Sequence, residues 1–137
     1  MDEIIVNEVK KMAKLLIVDD ESDVREFAAK FFRKRKINVI IAPSGEEALS
    51  SFEKEKPDLM LLDIKMGGID GIETLRRIKE LDKNARVIMV TGRKPEDEGA
   101  FEKCRQLGAV DYIHKPLELD ELERIVLKEL SQDTKKS

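Results

Sequence analysis

One cysteine, one histidine and no tryptophan are a thin supply of the side chains that build disulfides, zinc sites and stacking surfaces. Cys104 has no second cysteine with which to form an internal disulfide, and no Cys/His cluster has the spacing of a structural zinc site. A filler position on a helix suits it better than a redox role. Long apolar runs are missing as well: none approaches the roughly 20 residues that span a bilayer. The N-terminus lacks the charged start, apolar middle and small-residue cleavage site of a signal peptide. These absences set the expectation of a cytoplasmic protein with no membrane partner. Nor does one sign of charge dominate. The 29 acidic and 26 basic residues leave a formal net charge of −3, which offers no large face to nucleic acid.

The 137 residues, 41% of them hydrophobic, suffice for one ordinary domain. Five short apolar runs punctuate the chain: Leu15 to Val18, Val39 to Ile41, Leu59 to Leu62, Val87 to Val90 and Val110 to Ile113. They are continuous, as in parallel strands covered on both faces, and not alternating. Between them lie stripes with helical spacing. Val24, Phe27, Ala28 and Phe31 form the first, and Ala48, Leu49 and Phe52 the second. Ile72, Leu75, Ile78 and Leu81 form the third. Ala100, Phe101, Cys104 and Leu107 form the fourth, and Leu119, Leu122, Ile125 and Val126 the fifth.

Boundary signals agree with this reading. Ser44-Gly45-Glu46-Glu47 and Asp70-Gly71-Ile72-Glu73 resemble capping boxes. Gly108 sits where the fourth helix should stop. A strand and a helix repeated five times, joined by right-handed crossovers, give a parallel sheet with helices on both faces, an α/β doubly wound fold. The second strand carries Asn38 and a basic flank, which suits a sheet edge. Residues 1–13 read as an N-terminal extension, compatible with a short amphipathic helix on Ile4, Ile5, Val9 and Met12. The domain itself spans 14–131, and 132–137 is a polar tail.

In open parallel sheets, ligands bind beyond the carboxyl ends of the strands. Here those ends carry Asp19-Asp20-Glu21, Asp63, Thr91-Gly92 and His114-Lys115-Pro116. Three carboxylates converging at one end repel one another and would raise one another's pKa. A hard divalent cation such as Mg²⁺ relieves this with oxygen ligands. Lys115 adds a fixed positive charge and Thr91 a hydroxyl. A carboxylate can act as nucleophile toward phosphorus, giving an aspartyl phosphate. The metal then screens charge, and the hydroxyl and ammonium hold phosphoryl oxygens. Asp63 stands alone and is the better nucleophile, whereas the adjacent Asp19 and Asp20 suit metal binding.

Taken in order and spacing, Leu-Ile-Val-Asp19-Asp20-Glu21, Leu-Leu-Asp63-Ile-Lys-Met66 with Asp70-Gly71, Val-Thr91-Gly92 and Gly108-Ala109-Val-Asp-Tyr112-Ile-His-Lys115-Pro116 resemble the receiver domains of two-component response regulators, of the stand-alone chemotaxis-regulator type. The resemblance runs from about Lys14 to Leu130. It implies a flavodoxin-like (βα)5 fold with strand order 2-1-3-4-5 and a phosphorylation-dependent switch with Asp63 as phosphoacceptor. It implies Mg²⁺, or Mn²⁺ in its place, on Asp20, Asp63 and the Lys65 backbone carbonyl, with Asp19 acting through a coordinated water. Thr91 and Lys115 would contact the phosphoryl group, Tyr112 would be the aromatic switch, and Lys115-Pro116 a cis peptide. Small Gly92 would leave the phosphoryl group room to enter. The implied partners are a histidine kinase or histidine phosphotransfer protein and an output protein on the face of the fourth helix, fifth strand and fifth helix. The implied state is a monomer or a phosphorylation-dependent dimer.

Departures from the family pattern are also legible. Gly67 stands where proline is usual and is followed by Gly68, which makes that loop more flexible. Lys65 and Arg93 flank the path of the hydrolytic water in the family, and two long basic side chains there imply slow self-dephosphorylation. His114 is expected at the surface. Two other readings compete. One is a phosphorylation-independent interaction module with the same fold, which the complete carboxylate, threonine and lysine set opposes. The other is a small enzyme. A flavodoxin-type flavin site needs a phosphate-cradling loop where this chain has Asp19-Asp20-Glu21, and a haloacid-dehalogenase-type phosphatase wants Asp-x-Asp after its first strand. Self-catalysed gain and loss of a phosphoryl group without a released metabolite is not enzyme turnover.

Overall fold

The computed structural model describes residues 13–92 and 97–135. The expected extension, apart from Ala13, lies outside the described residues, as does Arg93.

The five apolar runs form five strands: β1 (Lys14–Val18), β2 (Asn38–Ala42), β3 (Leu59–Asp63), β4 (Val87–Thr91) and β5 (Asp111–His114). All pair in parallel, in the order β2-β1-β3-β4-β5. Five helices follow them in turn: α1 (Ser22–Arg33), α2 (Gly45–Glu55), α3 (Gly71–Leu81), α4 (Asp97–Gln106) and α5 (Leu119–Lys135). Because side chains alternate across a strand, each central run feeds two cores. Leu15, Ile17, Leu61 and Val90 meet Phe32 of α1 and Leu122 and Val126 of α5. Leu16, Val18, Leu62 and Met89 meet Ala48 of α2, Leu75 and Ile78 of α3 and Cys104 of α4. Cys104 is thus buried core filler, and burial pushes its thiol up to about 11. Among the described residues no helix is long and apolar enough to cross a membrane.

The helix starts form as half of the expected reciprocal boxes. Ser44 Oγ accepts from the Glu47 N–H at 3.2 Å and Asp70 Oδ1 from the Glu73 N–H at 2.9 Å. Glu73 turns its carboxylate to Arg76 and Arg77, a charged attraction that outcompetes a reach back to the cap. Gly108 takes φ +94 just beyond α4, as a helix stop requires. The last helix continues to Lys135, so the polar segment from Gln132 begins inside it. A polar composition marks the end of the apolar stripe, not of the helical backbone.

The α1 stripe is turned from its expected position. Ala28, Ala29 and Phe32 face the sheet, while Phe27 is 52% exposed. Two alanines let this helix lie close to the strands, and Phe32 then fills the space that Phe27 was expected to occupy.

Gly71 opens α3 under the end of β3. A Cβ there would stand 2.2 Å from the Asp63 carbonyl oxygen and 2.6 Å from the Ile64 Cα. Both are backbone atoms that cannot move alone, so Gly71→Ala should cost about 1–3 kcal/mol in urea unfolding.

Candidate functional site

The crossover topology brings the ends of β1, β3, β4 and β5 to one edge of the sheet. Asp19 extends the β1 ladder by donating its N–H to the Ala42 carbonyl at 3.3 Å. Its Oδ1 then accepts the Glu21 N–H at 2.9 Å, which turns the chain out of the sheet toward α1. Asp63 is the last residue of β3. Asp19, Asp20 and Asp63 each offer a carboxylate oxygen within 4.8 Å of the other two. Asp19 and Asp63 are only 4% exposed, while Asp20 opens to solvent.

Lys115, just past β5, brings a cation to this group. Its Nζ lies 3.1 Å from Asp63 Oδ2, 3.7 Å from Asp19 Oδ2 and 3.6 Å from Glu21 Oε1. Burial pushes the Asp63 carboxyl up to about 6, the neighbouring Asp19 charge adds to this, and the Lys115 charge and hydrogen bond offset only part of the rise. Burial likewise raises Asp19 against the pull of the Glu21 N–H and Lys115. Burial alone would lower the Lys115 ammonium, but Asp63, Asp19 and Glu21 outweigh it and hold it above the ordinary lysine value. The pocket therefore carries surplus negative charge on oxygen donors, with one side open. That donor set suits a hard divalent cation.

Thr91 ends β4 at 3% exposure, and its Oγ is buried without a hydrogen-bond partner among the described residues. An unpaired buried hydroxyl costs roughly 1–3 kcal/mol, so this one has unspent capacity to bond a group placed at the strand ends. The Thr91 carbonyl accepts the Lys115 N–H at 2.8 Å, locking the two strand ends together. The Lys115–Pro116 bond is cis, as the family resemblance implied. The Lys65 N–H reaches Asp63 Oδ1 at a long 3.4 Å. Tyr112 on β5 stacks obliquely on Phe101 of α4, centroids 4.2 Å apart, with its hydroxyl also buried and unpartnered among the described residues. His114 is partly exposed.

Residues 15–127 match the family model of the response regulator receiver domain. The chain belongs to this family. The receiver is 40% identical over 117 residues to sporulation initiation phosphotransferase F of Bacillus subtilis, covering 85% of this chain and 93% of that protein. It is 37% identical to regulatory protein AtoC of Escherichia coli over 90% of this chain but only 26% of that longer protein. Among solved structures, it resembles a CheY-like receiver from Methanospirillum hungatei with a TM-score of 0.83 and 28% identity, covering 92% and 99% of the two chains. It also resembles a chain of the Borrelia burgdorferi CheX–CheY–BeF3–Mg complex, with a TM-score of 0.77 and 34% identity over 85% and 87%. The fold and the two-component regulator class expected from the sequence are those of these relatives.

Several contacts at this receiver's site join residues whose meeting no local pattern signals. Glu21 joins the Lys115 cluster at 3.6 Å. Arg25 donates to the Asp19 carbonyl at 2.8 Å from the next turn of α1. Phe27, Val24, Pro116 and Leu117 line a groove that opens beside Lys115. Only the rotation of α1 brings Phe27 there.

Proposed function

We propose that this receiver accepts a phosphoryl group on Asp63 from a phosphohistidine protein and thereby switches its output face. The observation that carries the reading is that, of the two buried carboxylates in the cluster, Asp63 takes the Lys115 hydrogen bond at 3.1 Å, while Asp19 stands off at 3.7 Å. Asp19, Asp20, Asp63 and the Lys65 carbonyl would hold Mg²⁺, or Mn²⁺, which supplies charge screening between the carboxylate and the incoming phosphoryl oxygens. An Asp63 oxygen attacks phosphorus, the P–N bond to the donor imidazole breaks, and the imidazole leaves with the electron pair and takes up a proton. Lys115 and the Thr91 hydroxyl then hold the phosphoryl oxygens. No product is released in turnover, so the molecule is a switch or relay and not a metabolic enzyme. The name of the Bacillus relative, a phosphotransferase, accords with a relay role.

The test is intact mass after incubation with Mg²⁺ and acetyl phosphate. A gain of one phosphoryl group is expected. No gain, with a histidine-kinase donor failing as well, would leave a phosphorylation-independent interaction module.

The donor needs a seat beside Asp63, and the groove of Val24, Phe27, Pro116 and Leu117 supports placing it there. Phe27→Ala should slow transfer from a phosphohistidine protein by about tenfold, the cost of losing an aromatic anchor. Uptake from acetyl phosphate, which needs no docking, should stay within about twofold. Equal slowing from both donors would remove the groove from the reading.

The output face would be α4, β5 and α5. A phosphoryl group that draws the Thr91 hydroxyl toward it frees the space beside Tyr112 and biases the packing of α4. Because the Tyr112 hydroxyl is buried without a partner among the described residues, Tyr112→Phe should leave the unphosphorylated fold as stable or up to about 1 kcal/mol more so. Urea unfolding measures this, and a loss above that size would reveal a bond made by the hydroxyl.

A further inference from the structure

The loop between β3 and α3 carries two consecutive glycines, Gly67 and Gly68, both exposed. Such a pair gives up much conformational freedom when ordered, yet this loop is strapped down from two sides by carboxylates. The Gly67 N–H donates to Asp20 Oδ2 at 3.3 Å. Two residues on, the Ile69 N–H donates to Glu46 Oε2 at 3.3 Å. The Glu46 carboxylate also lies along Gly68: a Cβ there would stand 3.0 Å from Oε2 and 3.2 Å from Oε1. Gly68 has φ +71, so the turn and the close approach both call for glycine at that position.

Asp20 is the member of the acidic cluster that needs such help. Asp19 and Asp63 are buried and fixed by packing, whereas Asp20 is exposed. A free surface aspartate must give up rotamers when it ligates, and that loss weakens binding. The Gly67 N–H ties it across the pocket mouth before any ion arrives. A proline at 67 would have no N–H to offer. Glu46, at the first turn of α2, stands on a helix capped by Ser44, so it can serve as the fixed end of the strap.

We propose that Glu46 and the Gly67 N–H are positioning groups of the metal pocket: Glu46 anchors the 67–69 strap through Ile69, and the strap holds the Asp20 carboxylate toward Asp19 and Asp63. This inference rests on the reading of Asp20 as a metal ligand. It predicts that a side chain on α2, outside the pocket, sets the affinity of the pocket for its ion.

Calorimetric titration of the full chain with MgCl2 tests it. Glu46→Ala and Gly67→Pro should each weaken Mg²⁺ binding by about fivefold, the size of one lost hydrogen bond of ordinary net strength. Glu46→Gln keeps an acceptor oxygen, and Gly67→Ala keeps the N–H while its Cβ meets open space. Each should restore binding to within about twofold of wild type, as the partial rescue of one bond allows. Amide exchange of the metal-free protein adds a second readout: Glu46→Ala should speed exchange at Gly67 as well as at Ile69, while core amides keep their protection. Wild-type affinity in Glu46→Ala would overturn the inference and leave the three-carboxylate site standing. An equal loss in Glu46→Gln and Glu46→Ala would also overturn it, by assigning the effect to charge alone. Absence of Mg²⁺ binding by the wild type would overturn the metal reading and this inference with it.

Discussion

Replacing Asp63 with asparagine should abolish the mass gain from acetyl phosphate and, at the same time, stabilise the metal-free fold at pH 7.5 by about 1–3 kcal/mol. The first effect follows because the amide is no nucleophile toward phosphorus. The second follows from the carboxyl's environment. Burial, and then the charge of Asp19, push Asp63 from its ordinary 3.8 to about 6 in the folded protein. An acid whose folded pKa lies above its unfolded one favours folding while protonated and opposes it once ionised. Below about pH 4 the wild type and the variant should therefore coincide. The gap should open as pH rises to about 6 and stay constant above it. Lys115 loses one of its carboxylate partners in the variant, which keeps the gain toward the lower end of the range. Excess Mg²⁺ should close the gap by stabilising the wild type more than the variant. Urea unfolding from pH 4 to 8, with and without Mg²⁺, reads all of this. A gap as large at pH 4 as at pH 7.5 would show that the stability difference is not electrostatic.

The largest loss of stability is expected from Glu129→Ala, about 3–5 kcal/mol. The side chains of Arg86, just before β4, and Glu129, on α5, are 11% and 4% exposed and paired with each other. Arg86 Nη2 also approaches the Glu129 carbonyl at 3.5 Å. Burial raises the Glu129 carboxyl, and its hydrogen bond with Asp111 at the start of β5 raises it further. Lys128 Nζ closes the group at 3.1 Å from Asp111 Oδ2. Truncating Glu129 strands a guanidinium whose Nε is already buried without a partner among the described residues. A full apolar exchange, Arg86→Met with Glu129→Leu, removes both charges and should recover most of the loss. This network lies at the amino ends of β4 and β5, opposite the Asp63 edge, so phosphoryl uptake by the folded fraction should persist. Thermal or urea unfolding of the three variants decides it. A single-variant cost below about 1 kcal/mol would mean that water replaces the lost partner.

Much of this was written locally. Five continuous apolar runs, five helical stripes and the Ser44 and Asp70 caps are properties of neighbouring residues, so the number, type and order of elements could be read directly. The site was legible for a related reason. In a parallel sheet with right-handed crossovers, residues that end strands must meet at one edge, so Asp19, Asp20, Asp63, Thr91 and Lys115 could be gathered without coordinates.

What escaped depends on how the elements press together. The α1 stripe fits either of two rotations, and only the close seat of Ala28 and Ala29 on the sheet turned Phe27 outward to the groove. Arg86 and Glu129 are 43 residues apart, and nothing near either one announces the other. Glu46 stood inside the expected capping box as the residue before its reciprocal Glu47, and the glycines looked like slack. Their hydrogen bonds to Ile69 and Asp20 exist because α2 and the β3–α3 loop fold over the same strand ends. The sequence by itself determined the elements, their order and the chemistry at the strand ends, because these follow from local periodicity and from sheet topology. Tertiary structure alone decided helix rotation, long-range charge pairing and the strapping of the loop, because each depends on distances between residues that the chain keeps far apart.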